Sequence, residues 1–344
     1  MTQLPLHRPT PGRARHRSPM ALAAALAATL LASCGGADTS PDGGDQAAAS
    51  AGSGQATASA PPEDSGFPVT VLSGPLEGGS ELTLEERPEA IVSLSPTATE
   101  TLWAIGAGDQ VVAVDDQSDH PEGVPTTSLS GYQPNVEAIL GYEPDLVVTT
   151  GDTGDLVSGL DKAGVPTLLM PSATDLEEAY SQMERLGAAT GHVAEATALV
   201  GQLQEDIAAA VESAPHAEGT TYYHELDPTG YSVTGETFIG EVYALFGLTS
   251  IADQAANGDP YPQLSSEFVV EADPDLVFLA DTECCDVSVE GVTERAGWAG
   301  MTAVQSGAVV ALDEDIASRW GPRVVDFVEL VGDQLAELEP ANAG

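Results

Sequence analysis

Positive charge is the scarcest property of this chain, which has 10 Lys and Arg against 54 Asp and Glu in 344 residues. Four of the ten, Arg8, Arg13, Arg15 and Arg17, crowd into an N-terminus that has no acid. The remainder carries 6 basic residues against 54 acidic ones, a formal −48. Such a surface repels phosphate backbones and excludes nucleic acid as a partner. The acids are scattered instead of gathered at metal-ligand spacings, so they read as a solubilising, salt-tolerant surface. Catalytic signatures are missing as well. There is no Gly-x-Ser-x-Gly elbow, no Gly-Lys-Ser/Thr phosphate loop and no His-Glu-x-x-His. Gly106-Ala107-Gly108 follows a helical stretch, the wrong context for a dinucleotide fingerprint. His120, His192, His216 and His224 are spread out, with His192 and His216 on either side of a long helical segment. A direct metal-ion binder would need clustered ligands. The chain is therefore expected to be no enzyme and to hold no resident cofactor.

Long apolar runs are also lacking. Residues 20–31 form one of Ala and Leu, shorter than the roughly 20 residues a spanning helix requires. Basic residues before it and small residues after it make a secretory signal. Leu31-Ala32-Ser33-Cys34 resembles the bacterial lipobox, in which the cysteine becomes the lipidated first residue. The alternative is an ordinary secretory signal that happens to carry a cysteine. Residues 35–66 are nearly all Gly, Ala, Ser, Asp, Pro and Gln, a composition that cannot offset the entropy of ordering. As a flexible tether of about 30 residues they would reach roughly 30 Å.

What is present beyond the tether is an alternation of strands and helices. Residues 90–94, 111–114, 146–149 and 167–170 are short apolar runs. Ser95 and Pro96 supply an N-cap and first helical position, and Gly106 ends that helix. Strands separated by helices imply parallel βαβ units. Residues 192–213 then run with Gly201 as their one glycine and no proline until Pro215. Leu199, Leu203, Ile207 and Val211 form a stripe, flanked by Val200 and Ala210. At 1.5 Å per residue this helix spans roughly 33 Å, a rigid strut between two halves. Strands resume at 220–224, and a helix over 324–338 closes the chain.

The two halves share a register. Glu137 lies seven residues before Pro144-Asp145-Leu146-Val147, and Glu267 lies seven before Pro274-Asp275-Leu276-Val277. Tyr132-Gln133-Pro134 and Tyr261-Pro262-Gln263 lie just upstream. A duplicated lobe is the economical explanation.

Ser93-Leu94-Ser95-Pro96-Thr97-Ala98-Thr99-Glu100, the two glutamate segments, both Pro-Asp-Leu-Val runs and Gly321-Pro322-Arg323 resemble the ABC-importer binding proteins for vitamin B12 and ferric siderophores. The resemblance covers residues 88–338. It implies an α/β fold of two Rossmann-like lobes with parallel sheets, joined by a single long backbone helix, with the ligand cleft between the lobes. The expected divisions are a signal at 1–33, a lipid-anchored tether at 34–66, lobes at 67–191 and 215–344, and the backbone helix at 192–214. The expected partners are a metal chelate, a permease dimer and the membrane, held through Cys34 outside the cytoplasm; the chain itself is expected to be monomeric. By family position, Glu137 and Glu267 would dock onto basic pockets of the two permease subunits. One contact per lobe suits a two-fold dimer, and carboxylates facing arginines fix the approach. Tyr132, Tyr261, Tyr231, Trp320, Arg319 and Arg323 are the expected ligand contacts, since flat amphipathic rings suit a large chelate. Gln117 stands where some cobalamin binders carry an aromatic, a departure from a corrinoid site.

The six basic residues are Arg87, Lys162, Arg185, Arg295, Arg319 and Arg323. A strongly anionic tris-catecholate would want several in the cleft, so a neutral or weakly charged chelate is expected, whether corrinoid, hydroxamate or haem-like. The other readings are direct metal-ion or haem binding, and a surface protein that keeps the fold without transport. Cys284 and Cys285 follow an apolar strand at 276–280, on the cleft side. Adjacent Cα atoms lie about 3.8 Å apart, short of the roughly 4.4–6.8 Å usual for disulfides. A vicinal disulfide, a metal-binding thiol pair and two unpaired thiols are the alternatives.

Overall fold

A computed structural model describes residues 66–285 and 287–342; the signal, Cys34 and nearly all of the expected tether lie outside them. The strands are β1 (Val69–Ser73), β2 (Ser80–Leu84), β3 (Ile91–Leu94), β4 (Val111–Val114), β5 (Leu146–Thr149), β6 (Thr167–Leu169), β7 (Thr221–Glu225), β8 (Thr249–Ser250), β9 (Leu276–Leu279) and β10 (Val309–Ala311). The helices of the first half are α1 (Pro96–Ala104), α2 (Val136–Leu140), α3 (Leu156–Lys162) and α4 (Leu176–Thr190). After them come α5 (Val193–Ser213), α6 (Phe238–Ala244), α7 (Ser266–Ala272), α8 (Val289–Thr293), α9 (Thr302–Ser306), α10 (Glu314–Ser318) and α11 (Val324–Asn342).

Two four-stranded parallel sheets form the lobes, in the orders β4-β3-β5-β6 and β10-β9-β7-β8. Numbered within each lobe, both read 2-1-3-4, which is the repeat expressed as topology. Every residue of β3, β5 and β9 is buried, as strands covered on both faces require. Alternate residues feed opposite layers: Ile91, Leu146 and Val148 enter one core, while Val92, Leu94 and Val147 enter another. The antiparallel β1–β2 hairpin precedes the first lobe, where the sequence alone announces no strands.

The repeat extends to side chains. Asn135 and Ser265 cap α2 and α7, accepting from the amides of Ala138 and Phe268. Glu143 and Asp273, each before the proline, both have positive φ, at 53° and 46°. Asp145 accepts from the amides of Glu89 (2.8 Å) and Ala90 (3.0 Å) ahead of β3. Asp275 accepts from the Thr221 amide (2.8 Å) and hydroxyl (2.9 Å) at the start of β7. The Pro-Asp pair thus fastens each third strand to the first.

The long α5 buries Ala196, Val200, Leu203 and Ile207, so Leu203 and Ile207 lie at the centre of the stripe as expected, with Leu199 and Val211 half-buried at its margins. It packs between α4 and α11. A Cβ on Gly187 of α4 would lie 2.3 Å from that of Ala196, so glycine allows this helix pair its close approach.

Candidate functional site

A cavity of about 380 Å³ opens between the lobes. Its first-lobe wall comes from the carboxyl ends of the strands: Leu94 at the end of β3 and Ser95 after it, Asp115 and Gln117 after β4, Thr150 after β5. Open parallel sheets place ligands at this end, where the strand order reverses. The opposite wall is made by α10 and the turn after it, through Glu314, Asp315, Ser318, Arg319 and Trp320. Strand ends of the first lobe thus face a helix of the second across the cavity.

The Ser93–Glu100 motif builds the floor. Ser95 caps α1 by accepting from the Ala98 amide, with Pro96 as the first helical residue. The Thr99 hydroxyl donates to Ser93 Oγ (2.9 Å) and lies 2.9 Å from Ser118 Oγ, which donates to Asp115 (2.5 Å). Burial raises the Asp115 carboxyl above its usual range, against the Ser118 bond that lowers it. A Cβ on Gly131 would meet the Leu94 carbonyl at 2.6 Å, so only glycine lets that loop approach the floor.

Glu100 closes the motif, and the fold gives it a role that the motif alone does not. It is buried, and Arg319 (2.9 Å) and Arg323 (2.7 and 3.0 Å) converge on it from the second lobe. Arg319 also donates to Asp119 (3.2 Å), Asp315 (2.5 Å) and the Gln117 carbonyl (3.1 Å). The two arginines expected to face a ligand are therefore engaged in an interlobe ion cluster. Arg319 lines the cavity with its charge matched, and Arg323 does not line it. A buried carboxylate needs such partners. Nothing in composition pairs residues more than 200 positions apart, though Arg319 and Arg323, four apart, stand out in a chain with so few basic residues.

The aromatic candidates separate. Tyr132 lines the cavity and is 78% exposed; Trp320 lines it half-buried, its indole N–H donating to Gln182 (2.9 Å). Tyr231 and Tyr261 are exposed and line no part of this cavity. Counting back from the helix caps explains the difference: Pro262, not Tyr261, is the counterpart of Tyr132. Glu137 and Glu267 occupy matching places, each exposed at the second position of its capped helix.

At the carboxyl end of β7, buried Glu225 accepts two bonds from Arg295, both at 2.6 Å, and one from the Tyr223 hydroxyl (3.2 Å). Arg295 lies over Trp298, 4.8 Å from the ring centroid. These groups line a second cavity, of about 640 Å³. Asp281 is buried beside them with no hydrogen-bond donor reaching either oxygen among the described residues. Burial, then the neighbouring Glu225, push its carboxyl up to about 7. Cys284 and Cys285 are joined by a disulfide in the turn after β9. Among the described residues no cluster of His, Cys, Asp or Glu is arranged to hold a metal ion.

Residues 91–316 match the family described as periplasmic binding protein. This chain belongs to that family. A cobalamin-binding protein of Halobacterium salinarum is 31% identical over 270 residues, covering 76% of this chain and 72% of its own. An uncharacterised ABC transporter substrate-binding lipoprotein of Bacillus subtilis is 29% identical, covering 78% and 86%. The crystal structure of the vitamin B12 binding protein of Vibrio cholerae superposes with a TM-score of 0.60 at 28% identity, covering 73% and 98%. The family match and the relatives this chain is similar to make it an extracytoplasmic binding protein.

Proposed function

We propose that this periplasmic binding protein is anchored by lipid at Cys34, captures a neutral or weakly charged metal chelate of corrinoid type, and delivers it to a permease dimer. In this reading, residues 1–33 are the signal, 34–66 the tether, and 192–214 the helix between the lobes. The chelate is cargo, and no resident cofactor or catalysis is involved. The observation that carries the cargo class is the state of the cations. Among the described residues, Arg87 donates to the Thr190 carbonyl, Arg185 to those of Leu72 and Gly74, Arg295 to Glu225, and Arg319 and Arg323 to Glu100. The cavity instead presents Asp115, Glu314 and Asp315 beside Tyr132 and Trp320. Such a lining disfavours tris-catecholates and the propionates of haem, and accepts a ligand with amide edges. The relative named for cobalamin supports the corrinoid choice. Gln117, with its carbonyl held by Arg319, takes the place of an aromatic wall.

Titrating the full chain with cyanocobalamin, ferrioxamine B and haemin, monitored by visible absorption, tests the cargo. Binding is expected to be tightest for cyanocobalamin, and preference for haemin would overturn the class. Delivery is tested by Glu137→Ala with Glu267→Ala, which should abolish uptake while leaving the dissociation constant unchanged. Anchoring is tested by Cys34→Ser, which should release the protein from the membrane fraction.

A further inference from the structure

The disulfide stands in an unusual position. Cys284 and Cys285 are neighbours in sequence with Cα atoms 3.7 Å apart, so their bridge closes a small ring through one peptide bond. The ring fixes the backbone of the turn just beyond β9. From that turn, the amides of Glu283 (2.5 Å) and Cys284 (2.6 Å) both donate to one oxygen of Glu314. The Thr282 hydroxyl reaches the Leu312 carbonyl (3.3 Å), a second tie to the same segment. Glu314 is the first residue of α10 and lines the interlobe cavity beside Asp315, whose carboxylate holds Arg319. A continuous chain of contacts therefore runs from the two sulfurs to the acidic lip of the cavity and on to the ion cluster that joins the lobes.

We propose that the Cys284–Cys285 bridge is a positioning element for the ligand site: it aims two amides at Glu314, holds α10 against the cavity, and makes capture depend on the oxidation state of the pair. The inference rests on the reading of this cavity as the ligand site. Two charge-assisted hydrogen bonds are strong only while both donors converge. An unbridged turn would have to order two more residues to keep them convergent. The controlling step is thiol–disulfide exchange with a dithiol reductant. The sulfur–sulfur bond breaks, each cysteine gains one electron and one proton, and the reductant closes into its own disulfide.

The test uses the full chain, bridged or treated with dithiothreitol, the reduced form being about 2 Da heavier by mass. Equilibrium dialysis with cyanocobalamin reads affinity, and amide hydrogen exchange at residues 283–284 and 314–318 reads positioning without any ligand. Reduction should weaken binding about tenfold and speed exchange in both segments. Cys284→Ser with Cys285→Ser should match the reduced protein and ignore reductant. Glu314→Ala should weaken binding comparably, and reduction should then add no more than about twofold, since bridge and carboxylate act as one unit. Unchanged exchange at 314–318 on reduction overturns the inference, as do losses that multiply. So does unfolding on reduction, seen by circular dichroism, which would make the bridge a fold element only. If bridged protein binds neither cyanocobalamin nor ferrioxamine B, the ligand-site reading fails, and exchange at 314–318 still decides whether the bridge positions α10.

Discussion

The two lobes are alike where they are built and unlike where they face a ligand. Both sheets run 2-1-3-4, both third strands are fastened to the first by a Pro-Asp pair, and both place an exposed glutamate second in a capped helix. At the carboxyl ends of the strands the likeness stops. The first lobe ends in a network of small hydroxyls around Asp115. The second ends in the Glu225–Arg295 pair, Asp281 and a disulfide. Framework residues share one geometry in the two lobes, while the loops beyond the strands carry separate chemistry. In an open α/β sheet those loops can diverge without disturbing the strand register.

The largest contrast should come from the ion cluster at the lobe boundary. Glu100→Ala would leave Arg319 and Arg323 without their shared carboxylate. Their side chains are 10% and 19% exposed, so a loss of roughly 3–5 kcal/mol in denaturant unfolding is expected. A loss below about 1 kcal/mol would mean that Asp119 and Asp315 suffice to hold Arg319. Next comes the asymmetry of the tyrosines. Tyr132→Ala should weaken cyanocobalamin binding about tenfold, while Tyr231→Ala and Tyr261→Ala should each change it less than about twofold. Equal losses would restore the symmetric pair expected from sequence.

Asp281 supplies a pH signature that adds to the one given by the raised Asp115 carboxyl of the first lobe. Its folded-state carboxyl keeps a proton up to about 7, whereas in the unfolded chain it releases the proton in the ordinary carboxylate range. The folded form thus binds more protons between those values, and stability should fall as pH rises through that window, then level off. Asp281→Asn should flatten this slope in thermal melts at low and neutral pH; an unchanged slope would show that the proton is held elsewhere. The smallest effect should fall on the shared fastening. Asp145→Ala and Asp275→Ala should each cost about 1 kcal/mol, the second more because its bonds are less exposed. The opposite ranking would show that the two ties are not equivalent.

Much of this framework is legible in the sequence because it depends on local rules. Ser95 and Pro96 announce α1, the apolar runs announce parallel strands, and the Pro-Asp register announces the repeat. The hairpin of β1 and β2 is not legible, because its strands alternate weakly and carry several exposed polar residues. Around the cavity, sequence points to Tyr132 and Trp320 and expects Arg319 and Arg323 to face the ligand as well. Their ion-pair partner, Glu100, lies in the other lobe, and no local pattern reveals a contact made by the fold's return path. Glu314 is invisible for the same reason, since it acts by receiving amides from a turn 30 residues away.

Tyr132 stands almost wholly in water at the rim of a cavity whose floor is fixed by Gly131, Ser95 and Asp115. Its side chain supports neither core nor ion cluster, so a library of substitutions at this position would vary the rim while every variant kept the same scaffold. The exposed Ser318 across the cavity offers a second such position. Together they make the mouth of the cavity a place that protein engineering can reshape without revisiting the fold.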